Sequence, residues 1–261
     1  MLSKNQIKFI NLLKQKKHRI EHQLFVAEGG KIVSELINSS IVVKQVYSTP
    51  DFFQKNNLTI SEQKSIECID IKETELERIS SLITPNEVLA ICEIPSYKLN
   101  IDSLKGKLTL VLDDIKDPGN LGTIIRISDW FGIEQIICSN ESVDVYNSKV
   151  VQATMGSISR IKVHYTDLIE FFTLNTIALK LPVYGALLDG KSIYIEQLSA
   201  NGFVVIGNES RGINDALLSF ITDKISIPSF SQYKSGGGGE AESLNAAIAS
   251  SIICSEFRRR S

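Results

Sequence analysis

A turn between an apolar strand and a helix carries the polar side chains best placed for chemistry. The stretch LTLVL at 108–112 ends in two aspartates, and the chain turns through a Pro-Gly pair into a helix near Asn120. The first turn of a helix offers N–H groups to an anion or a polar ligand. Arg126, six residues further on, could bind a phosphate through two hydrogen bonds. The alternative is structural, with Asn120 as the helix cap and Arg126 as a surface cation.

Glycine spacing argues against two common nucleotide sites. Only Gly119 and Gly122 occur in this turn, so the G-x-G-x-x-G pattern of a dinucleotide site lacks its third glycine. The chain also has no G-x-x-x-x-G-K-[ST] phosphate loop. A nicotinamide-dependent oxidoreductase and a P-loop nucleotidase are therefore disfavoured.

Two later segments carry further candidate residues. The strand VVIGN ends at Gly207, where the missing side chain permits close approach to a ligand, and continues into Glu209. That glutamate would lie at the carboxyl end of a strand, where α/β sheets bind their ligands. In ESLNAAIAS at 242–250, Ser243 is a candidate helix N-cap. The structural alternatives are a β-turn with a capping acid and a closely packed helix start.

The elements that must position these segments alternate between strand and helix. Residues 1–95 form a small α/β domain, with a helix over 4–17 and a short helix over 51–57. Turn formers mark a linker at 96–106. In the second domain, 107–261, apolar strands alternate with helices, which predicts a parallel sheet with helices on both faces.

The composition is that of a globular protein: 261 residues, 43% hydrophobic, 22% charged, net charge −2. No apolar run approaches the roughly 20 residues needed to cross a bilayer, and the charged N-terminus lacks a signal peptide's apolar stretch. We therefore expect a cytoplasmic protein. Residues 1–31 carry seven lysines and arginines against two glutamates, a local charge of +5. Such basic surface suits phosphate contacts, although solvated helix ends are the alternative.

Cysteine and histidine spacing predicts no metal site. The four cysteines contain no CxxC pair, and we expect buried, reduced thiols. The histidines at 18, 22 and 164 form no obvious ligand set in the sequence.

Taken together and in this order, the three segments resemble motifs 1, 2 and 3 of the SpoU (TrmH-like) branch of the SPOUT methyltransferases. The residues that carry the resemblance are Asp117-Pro118-Gly119-Asn120, Gly122 and Arg126 for motif 1; Gly207-Asn208-Glu209 and Gly212 for motif 2; Ile227-Pro228 and Ser243-Leu244-Asn245 for motif 3. The match covers residues 107–260. Residues 1–95 resemble, more loosely, the family's ribosomal-protein-like RNA-binding domain.

The resemblance implies an α/β fold whose C-terminal segment is threaded into a deep trefoil knot, and a homodimer with the site near its interface. It implies transfer of a methyl group from S-adenosylmethionine to a ribose 2′-hydroxyl of RNA. It also implies two sets of site residues, the catalytic set Asn120, Arg126, Glu209, Ser243 and Asn245, and the cofactor-binding set Leu187, Gly207, Asn208, Ile227 and Leu244.

Arg126 is sometimes assigned as the base in this family, but a guanidinium almost never loses its proton in proteins. We expect Arg126 to clamp the adjacent phosphate and stabilise the developing alkoxide, while the phosphate or a water takes the proton. Asn120 and Glu209 would orient Arg126. Ser243 and Asn245 would position the ribose.

With its additional N-terminal domain, the chain resembles family members that act on large-subunit ribosomal RNA more than those that act on transfer RNA, so the resemblance implies 23S ribosomal RNA as the substrate and transfer RNA as the alternative. DNA is excluded because it lacks the 2′-hydroxyl, and no membrane partner is expected. A non-catalytic RNA-binding module on the same fold is the other alternative. One feature departs from the family pattern: 14 residues separate Pro228 from Ser243, roughly twice the usual spacing, and they include SGGGG at 235–239. We expect residues 229–242 to be poorly ordered without ligand.

Overall fold

The computed structural model describes residues 1–50, 52, 66–230 and 243–259, apart from the side chains of 176–178. They form two compact units. The first consists of residues 1–96 and 144–160, and the second of residues 97–143 together with the chain from 161 onward. The helix predicted at 51–57, apart from Phe52, lies outside the described residues. So do residues 231–242, which include the SGGGG patch and most of the segment expected to be poorly ordered.

Helices and strands follow one another as predicted in most of the chain. The described elements are α1 (Lys4–Leu12), α2 (Lys16–His22), β1 (Leu24–Glu28), α3 (Gly30–Ile37), β2 (Val43–Ser48), β3 (Glu67–Asp70), α4 (Glu73–Ile79), β4 (Val88–Glu93), β5 (Leu108–Leu112), α5 (Pro118–Trp130), β6 (Gln135–Ser139), α6 (Ser148–Thr154), β7 (Lys162–Thr166), α7 (Leu168–Leu179), β8 (Val183–Ser192), β9 (Gly202–Ile206), α8 (Asp215–Leu218), β10 (Asp223–Ser226) and α9 (Ala246–Arg259).

The first unit is built on a four-stranded sheet in the order β1-β4-β2-β3. Strand β4 is antiparallel to both β1 and β2, whereas β2 and β3 are parallel. Its apolar cluster includes Ile10, Tyr47 and Leu89, each at most 1% exposed. The unit therefore has a hydrophobic core of its own.

The single helix predicted over 4–17 is wrong, because the chain forms two helices there. Ser3 and Gln6 make a reciprocal capping box that starts α1. Gln15 then adopts an extended conformation before α2. The guanidinium of Arg19 donates to the carbonyls of Leu13 and Lys14, at 3.0 and 2.8 Å, so these groups find a partner at the break.

The second unit contains a six-stranded sheet, parallel throughout, in the order β10-β8-β9-β5-β6-β7. The predicted parallel α/β class is therefore confirmed. Every residue of β5 and β9 is buried, as expected for strands covered on both faces. Because the strands are parallel, their carboxyl ends meet at one edge of the sheet, and the three motifs begin at that edge.

A large irregularity interrupts the pairing of β8 with β10. Lys224 pairs with Gly185, but its neighbour Ile225 pairs with Lys191, so residues 186–190 have no partner in β10. This bulge changes the direction of the chain beside the carboxyl edge of the sheet.

Among the residues that the structure describes, no helix is both long and apolar enough to cross a membrane.

Candidate active site

The start of α5 fixes the position of motif 1. The Asp117 carboxylate accepts a hydrogen bond from the backbone N–H of Asn120 at 2.8 Å, and Pro118 occupies the first helical position. The helix thus begins earlier than expected, and Asp117 rather than Asn120 is its cap. The alternative in which Asn120 is a helix cap is wrong, because its side chain takes no part in capping.

Side chains from all three motifs meet at Asn120. Its amide nitrogen donates to the carboxylate of Glu209, and its amide oxygen accepts from the amide of Asn245 at 2.8 Å. The Ser243 hydroxyl donates to the Glu209 carbonyl at 3.4 Å, a long contact. The structure therefore brings together four of the five expected catalytic residues.

Asn245 has a second role, as the cap of α9. Its side-chain oxygen accepts hydrogen bonds from the backbone N–H groups of Ala247 and Ile248, at 2.9 and 3.3 Å. The expectation that Ser243 caps this helix is wrong, since the helix begins only at Ala246. The same amide group therefore starts α9 and contacts Asn120.

Two aspartates at the end of β5 hold the motif 2 loop, a role that sequence reasoning missed. The Asp114 carbonyl accepts from the Asn208 amide at 2.9 Å, and the buried Asp113 carboxylate accepts from the Asn214 N–H at 2.7 Å. Asp114 has φ +58, in the left-handed region that few non-glycine residues adopt. The only available signal was a pair of acids at the end of a buried strand.

Burial raises the pKa of the Asp113 carboxyl. The hydrogen bond from Asn214 opposes this shift, and the negative charges of Asp114 and Glu141 add to it. The Lys116 ammonium, 2.6 Å from the Asp114 carboxylate, supplies a countercharge. The acidic groups at the carboxyl end of β5 are thus partly neutralised, and they hold the neighbouring loop through hydrogen bonds.

Arg126 stands apart from this network. It lies on α5 and is exposed, and no hydrogen bond or ion pair joins it to another of the described residues. The expected orientation of Arg126 by Asn120 and Glu209 is therefore not a direct contact in this structure. Its guanidinium keeps all its donors for a ligand that arrives from solvent.

Comparison with known proteins agrees with this geometry. The SpoU rRNA Methylase family matches residues 107–255, more than half of the chain, and the MRM3-like substrate binding domain matches residues 4–90. The chain belongs to the SpoU family. This confirms the resemblance drawn from the three motifs.

Several relatives match nearly the whole chain. The 23S rRNA (guanosine(2553)-2′-O)-methyltransferase RlmP of Bacillus subtilis is 29% identical over 258 residues, 98% of this chain and 97% of that protein. A TrmH-family structure from Porphyromonas gingivalis has a TM-score of 0.86 at 36% identity, over 100% of both chains. An AdoMet-bound rRNA methyltransferase from Sinorhizobium meliloti has a TM-score of 0.84 at 29% identity, over 100% of this chain and 96% of that one.

In motif 2, the surrounding backbone leaves no room for a side chain at Gly207. A Cβ on Gly207 would lie 2.3 Å from the Gly212 carbonyl carbon, so only glycine fits. Asn208 and Gly212 exchange two backbone hydrogen bonds, at 3.0 and 2.8 Å, which close this loop. Glycine at 207 is therefore required for this loop to close.

Two neighbouring strands and the start of α9 supply the other expected cofactor residues. Leu187 lies in the β8 bulge and packs, partly buried, on the apolar cluster of the second unit. Ile227 follows β10 and is partly buried, while Leu244 precedes α9 and is 45% exposed. Together with Gly207 after β9, these apolar groups and backbone loops fit an adenosine-bearing cofactor such as S-adenosylmethionine.

The SpoU motifs contain no grouping of metal ligands among the described residues. Elsewhere in the described chain, His18, Glu21 and His22 of α2 hold their ligand atoms within 4.8 Å of one another, a grouping that spacing alone did not reveal.

The prediction of buried thiols holds for three cysteines and is wrong for Cys68, which is exposed. Burial raises the pKa of Cys92, which keeps it a thiol.

Proposed function

We propose that this chain transfers the methyl group of S-adenosylmethionine to a ribose 2′-hydroxyl of 23S ribosomal RNA. The observation that carries the proposal is the hydrogen-bonded set Glu209–Asn120–Asn245, which unites the three SpoU motifs in one place. The RlmP relative acts on 23S rRNA and the Sinorhizobium relative binds AdoMet, which supports the same substrate and cofactor here. A cytoplasmic location is part of the proposal.

S-adenosylmethionine, when bound, supplies a methyl group already activated by its sulfonium. Leu187, Gly207, Ile227 and Leu244 would hold it, with Asn208 keeping the motif 2 loop closed. The remaining tasks for the protein are alignment of the ribose and stabilisation of its developing negative charge.

Arg126 is the group suited to that charge. Because it is exposed and has no partner among the described residues, it is free to bind the phosphate next to the target ribose and stabilise the alkoxide. Glu209 and Asn245 hold the Asn120 side chain from two sides, so this amide is pre-organised beside the reaction site. The phosphate or a water, rather than Arg126, accepts the hydroxyl proton.

The first unit would supply the RNA affinity. Lys4, Lys8, Lys16 and Lys17 of α1 and α2 are exposed and make no ion pair with any described residue. Unpaired ammonium groups of this kind bind phosphates and account for most sequence-independent affinity for RNA. We expect the affinity to fall steeply as salt concentration rises.

A homodimer is the expected assembly. Trp130 at the end of α5 is 84% exposed and Ile248 on α9 is 53% exposed, and these two helices pack against each other. Exposed aromatic and aliphatic side chains on packed helices favour association with a second copy. Light scattering after size exclusion should give twice the chain mass, and Trp130→Glu should shift it toward the monomer.

Labelled S-adenosylmethionine with unmodified ribosomal RNA, followed by mapping of the 2′-O-methyl group, tests the function. We expect Arg126→Ala to abolish transfer while the cofactor Kd, by calorimetry, stays within about twofold, because the guanidinium acts on RNA rather than on the cofactor. Lys105→Ala, which removes an exposed cation whose ion-pair partner Asp102 is also exposed, is the control.

Three results would contradict the proposal. Activity that survives in Arg126→Ala would remove the assigned role of this arginine. If the chain methylated transfer RNA and not ribosomal RNA, the proposed substrate would be wrong and the transfer RNA alternative right. Absence of cofactor binding even with RNA present would favour a non-catalytic RNA-binding module.

A further inference from the structure

Two histidines and a glutamate lie together on one face of α2. His18, Glu21 and His22 are spaced i, i+3 and i+4, which places their side chains beside one another on a helix. Each offers one metal-ligand atom, and the three atoms lie within 4.8 Å of one another. All three residues belong to the first unit, and the proposed methyl transfer uses none of them.

Aromatic contacts orient the two imidazoles. The His22 ring packs edge-on against Phe9 of α1, with 5.1 Å between the ring centroids. The His18 and His22 rings are stacked, with 6.4 Å between centroids and 23° between their planes. The side chain of His18 is 23% exposed and that of Glu21 is 57% exposed. The ligand atoms are thus partly fixed by packing, yet an ion can reach them from solvent.

A buried arginine fixes the helix that carries these ligands. Arg19, next to His18 in the chain, is only 2% exposed. Its guanidinium donates to the carbonyls of Leu13 and Lys14, at 3.0 and 2.8 Å, and through Nε to the Asp144 carboxylate at 3.0 Å. All of these groups belong to the first unit. Ligands on a fixed helix are held more precisely than ligands on a loop.

The distances suit a tetrahedral ion. Zinc lies about 2.0–2.1 Å from imidazole nitrogens and carboxylate oxygens, so two of its ligand atoms are about 3.3 Å apart. His18 Nδ1 and Glu21 Oε2 are already 3.0 Å apart. The widest pair of the group, at most 4.8 Å apart, has to approach by no more than about 1.5 Å. Rotation of exposed side chains between rotamers permits a shift of this size.

The donor atoms select the class of metal. Imidazole is a preferred ligand of zinc, copper and nickel, and two histidines with one glutamate form the protein ligand set of known zinc sites. Magnesium and calcium take six or more oxygen ligands, whereas Glu21 is the single oxygen donor of this group. With three protein ligands, one position of a tetrahedral ion stays open to water.

Neighbouring charges set the expected affinity. Lys16 and Lys17 of the same helix are exposed and repel a cation, an effect that salt screens beyond ~10 Å. An ordinary ion pair between His18 and Glu21 would explain two of the three groups. It does not explain the His22 nitrogen that lies beside them. We therefore expect micromolar binding, weaker than at a closed site with four protein ligands.

We propose that His18, Glu21 and His22 form a binding site for a divalent transition-metal ion, with zinc as the representative. The proposal differs from the sequence-based prediction of no metal site, because that prediction did not consider Glu21 together with the histidines. His18 and His22 are one helical turn apart, so a bound ion would also hold the last turn of α2 closed. This helix has only seven residues, and short helices depend on such added contacts.

Calorimetric titration with zinc tests the site in the full-length chain without an affinity tag. A pH of about 7.5 keeps proton competition for the imidazoles weak. All variants are made in a Cys68→Ser parent, because the exposed Cys68 thiol is itself a zinc ligand. The third histidine of the chain, His164, is only 6% exposed.

The parent should bind one zinc ion per chain with a micromolar Kd, and magnesium should not bind. His18→Gln, Glu21→Gln and His22→Gln should each weaken the zinc Kd at least ~10-fold, because loss of even a hydrogen-bond partner of a ligand costs about that much. Glu77→Gln changes an exposed glutamate of α4 in the same unit and is the matched control for Glu21→Gln. It should keep the parent Kd.

Hydrogen exchange gives a second readout. At a free zinc concentration of about 100 times Kd, exchange of the α2 amides should slow at least ~10-fold in the parent. The same zinc concentration should slow it much less in His22→Gln. Unchanged exchange of α2 at saturating zinc would overturn the closure of its last turn.

Three results would overturn the site itself. They are an unchanged Kd in both His18→Gln and His22→Gln, no zinc binding up to ~1 mM, and binding in wild type that disappears in the Cys68→Ser parent. If a variant does not fold, modification of the parent by diethyl pyrocarbonate decides the question. Zinc should protect His18 and His22 from the reagent, and equal modification with and without zinc would refute the proposal.

Discussion

Replacement of Asn120 by aspartate is the sharpest perturbation of the candidate site. The substitution keeps the oxygen that accepts from Asn245 and removes the nitrogen that donates to Glu209. Loss of a hydrogen bond to a charged group costs about 2 kcal/mol, which corresponds to about a 30-fold loss of rate if Glu209 must be held during the reaction. The new carboxylate also faces the carboxylate of Glu209.

The repulsion between these two carboxylates makes the defect depend on pH. At ~4 Å and an effective dielectric constant of ~20, two like charges repel by about 4 kcal/mol. Binding of one proton by the pair relieves that repulsion and restores a donor, so the pair should hold a proton at a pH where an isolated carboxyl is ionised. We therefore expect Asn120→Asp to lose over ~100-fold at pH 8 and to recover part of that loss toward pH 6.

The assay is kcat/KM for methyl transfer from labelled S-adenosylmethionine between pH 6 and 8. Asn100→Asp is the control, because Asn100 caps a short helical turn through a backbone N–H at 3.0 Å and aspartate caps equally well. Asn120→Ala should lose activity without recovery at low pH. An Asn120→Asp variant within about twofold of wild type at pH 8 would refute the reasoning, since the donated hydrogen bond would then be dispensable.

Three further outcomes are expected. Gly207→Ala should weaken cofactor binding by more than ~10-fold and lower Tm, because its Cβ would lie 2.3 Å from the Gly212 backbone. An unchanged cofactor Kd by calorimetry would contradict the role of Gly207 in cofactor binding. Burial lowers the pKa of His164 below its usual 6.5, so the unfolded chain binds more protons below that value. The free energy of unfolding by urea should therefore fall between pH 7 and 5, with a smaller slope in His164→Gln. A thiol reagent should modify one cysteine in the native protein, Cys68, and all four in denaturant; fast reaction of a second thiol would contradict the assigned burial.

The parallel sheet could be predicted because its signal is local. The stretches that form β5 and β9 are continuous apolar runs, and helical segments separate the strands of the second unit. Helix ends were less predictable, because several residues nearby could serve as caps. Asp117 caps α5 where Asn120 was considered, and Asn245 caps α9 where Ser243 was expected. Which candidate takes the role depends on tertiary contacts that the local sequence does not reveal.

Residues 144–160, which include α6 and belong to the first unit, show the limit of local patterns more clearly. Their helix has the same strand–helix alternation as its neighbours, and nothing in the sequence of α6 marks it as part of the first unit. The contact that binds it joins Arg19 to Asp144, 125 residues apart. The burial of Arg19 was also hard to predict from the sequence, because charged residues are rarely buried unless they are paired. The trefoil knot, which rests on the family resemblance, stays a prediction.

The candidate site uses the requirements of helix formation to position its polar groups. Any helix leaves its first N–H groups without internal partners, so α5 and α9 each need a side-chain cap whatever the function. Because Asp117 caps α5 three residues before Asn120, and Asn245 both caps α9 and donates to Asn120, formation of the two helices fixes this amide in place. Groups held before the substrate arrives need no rearrangement during the reaction, which is the condition for effective electrostatic stabilisation. Arg126, exposed and unpaired among the described residues, is the group left to be ordered by the RNA itself.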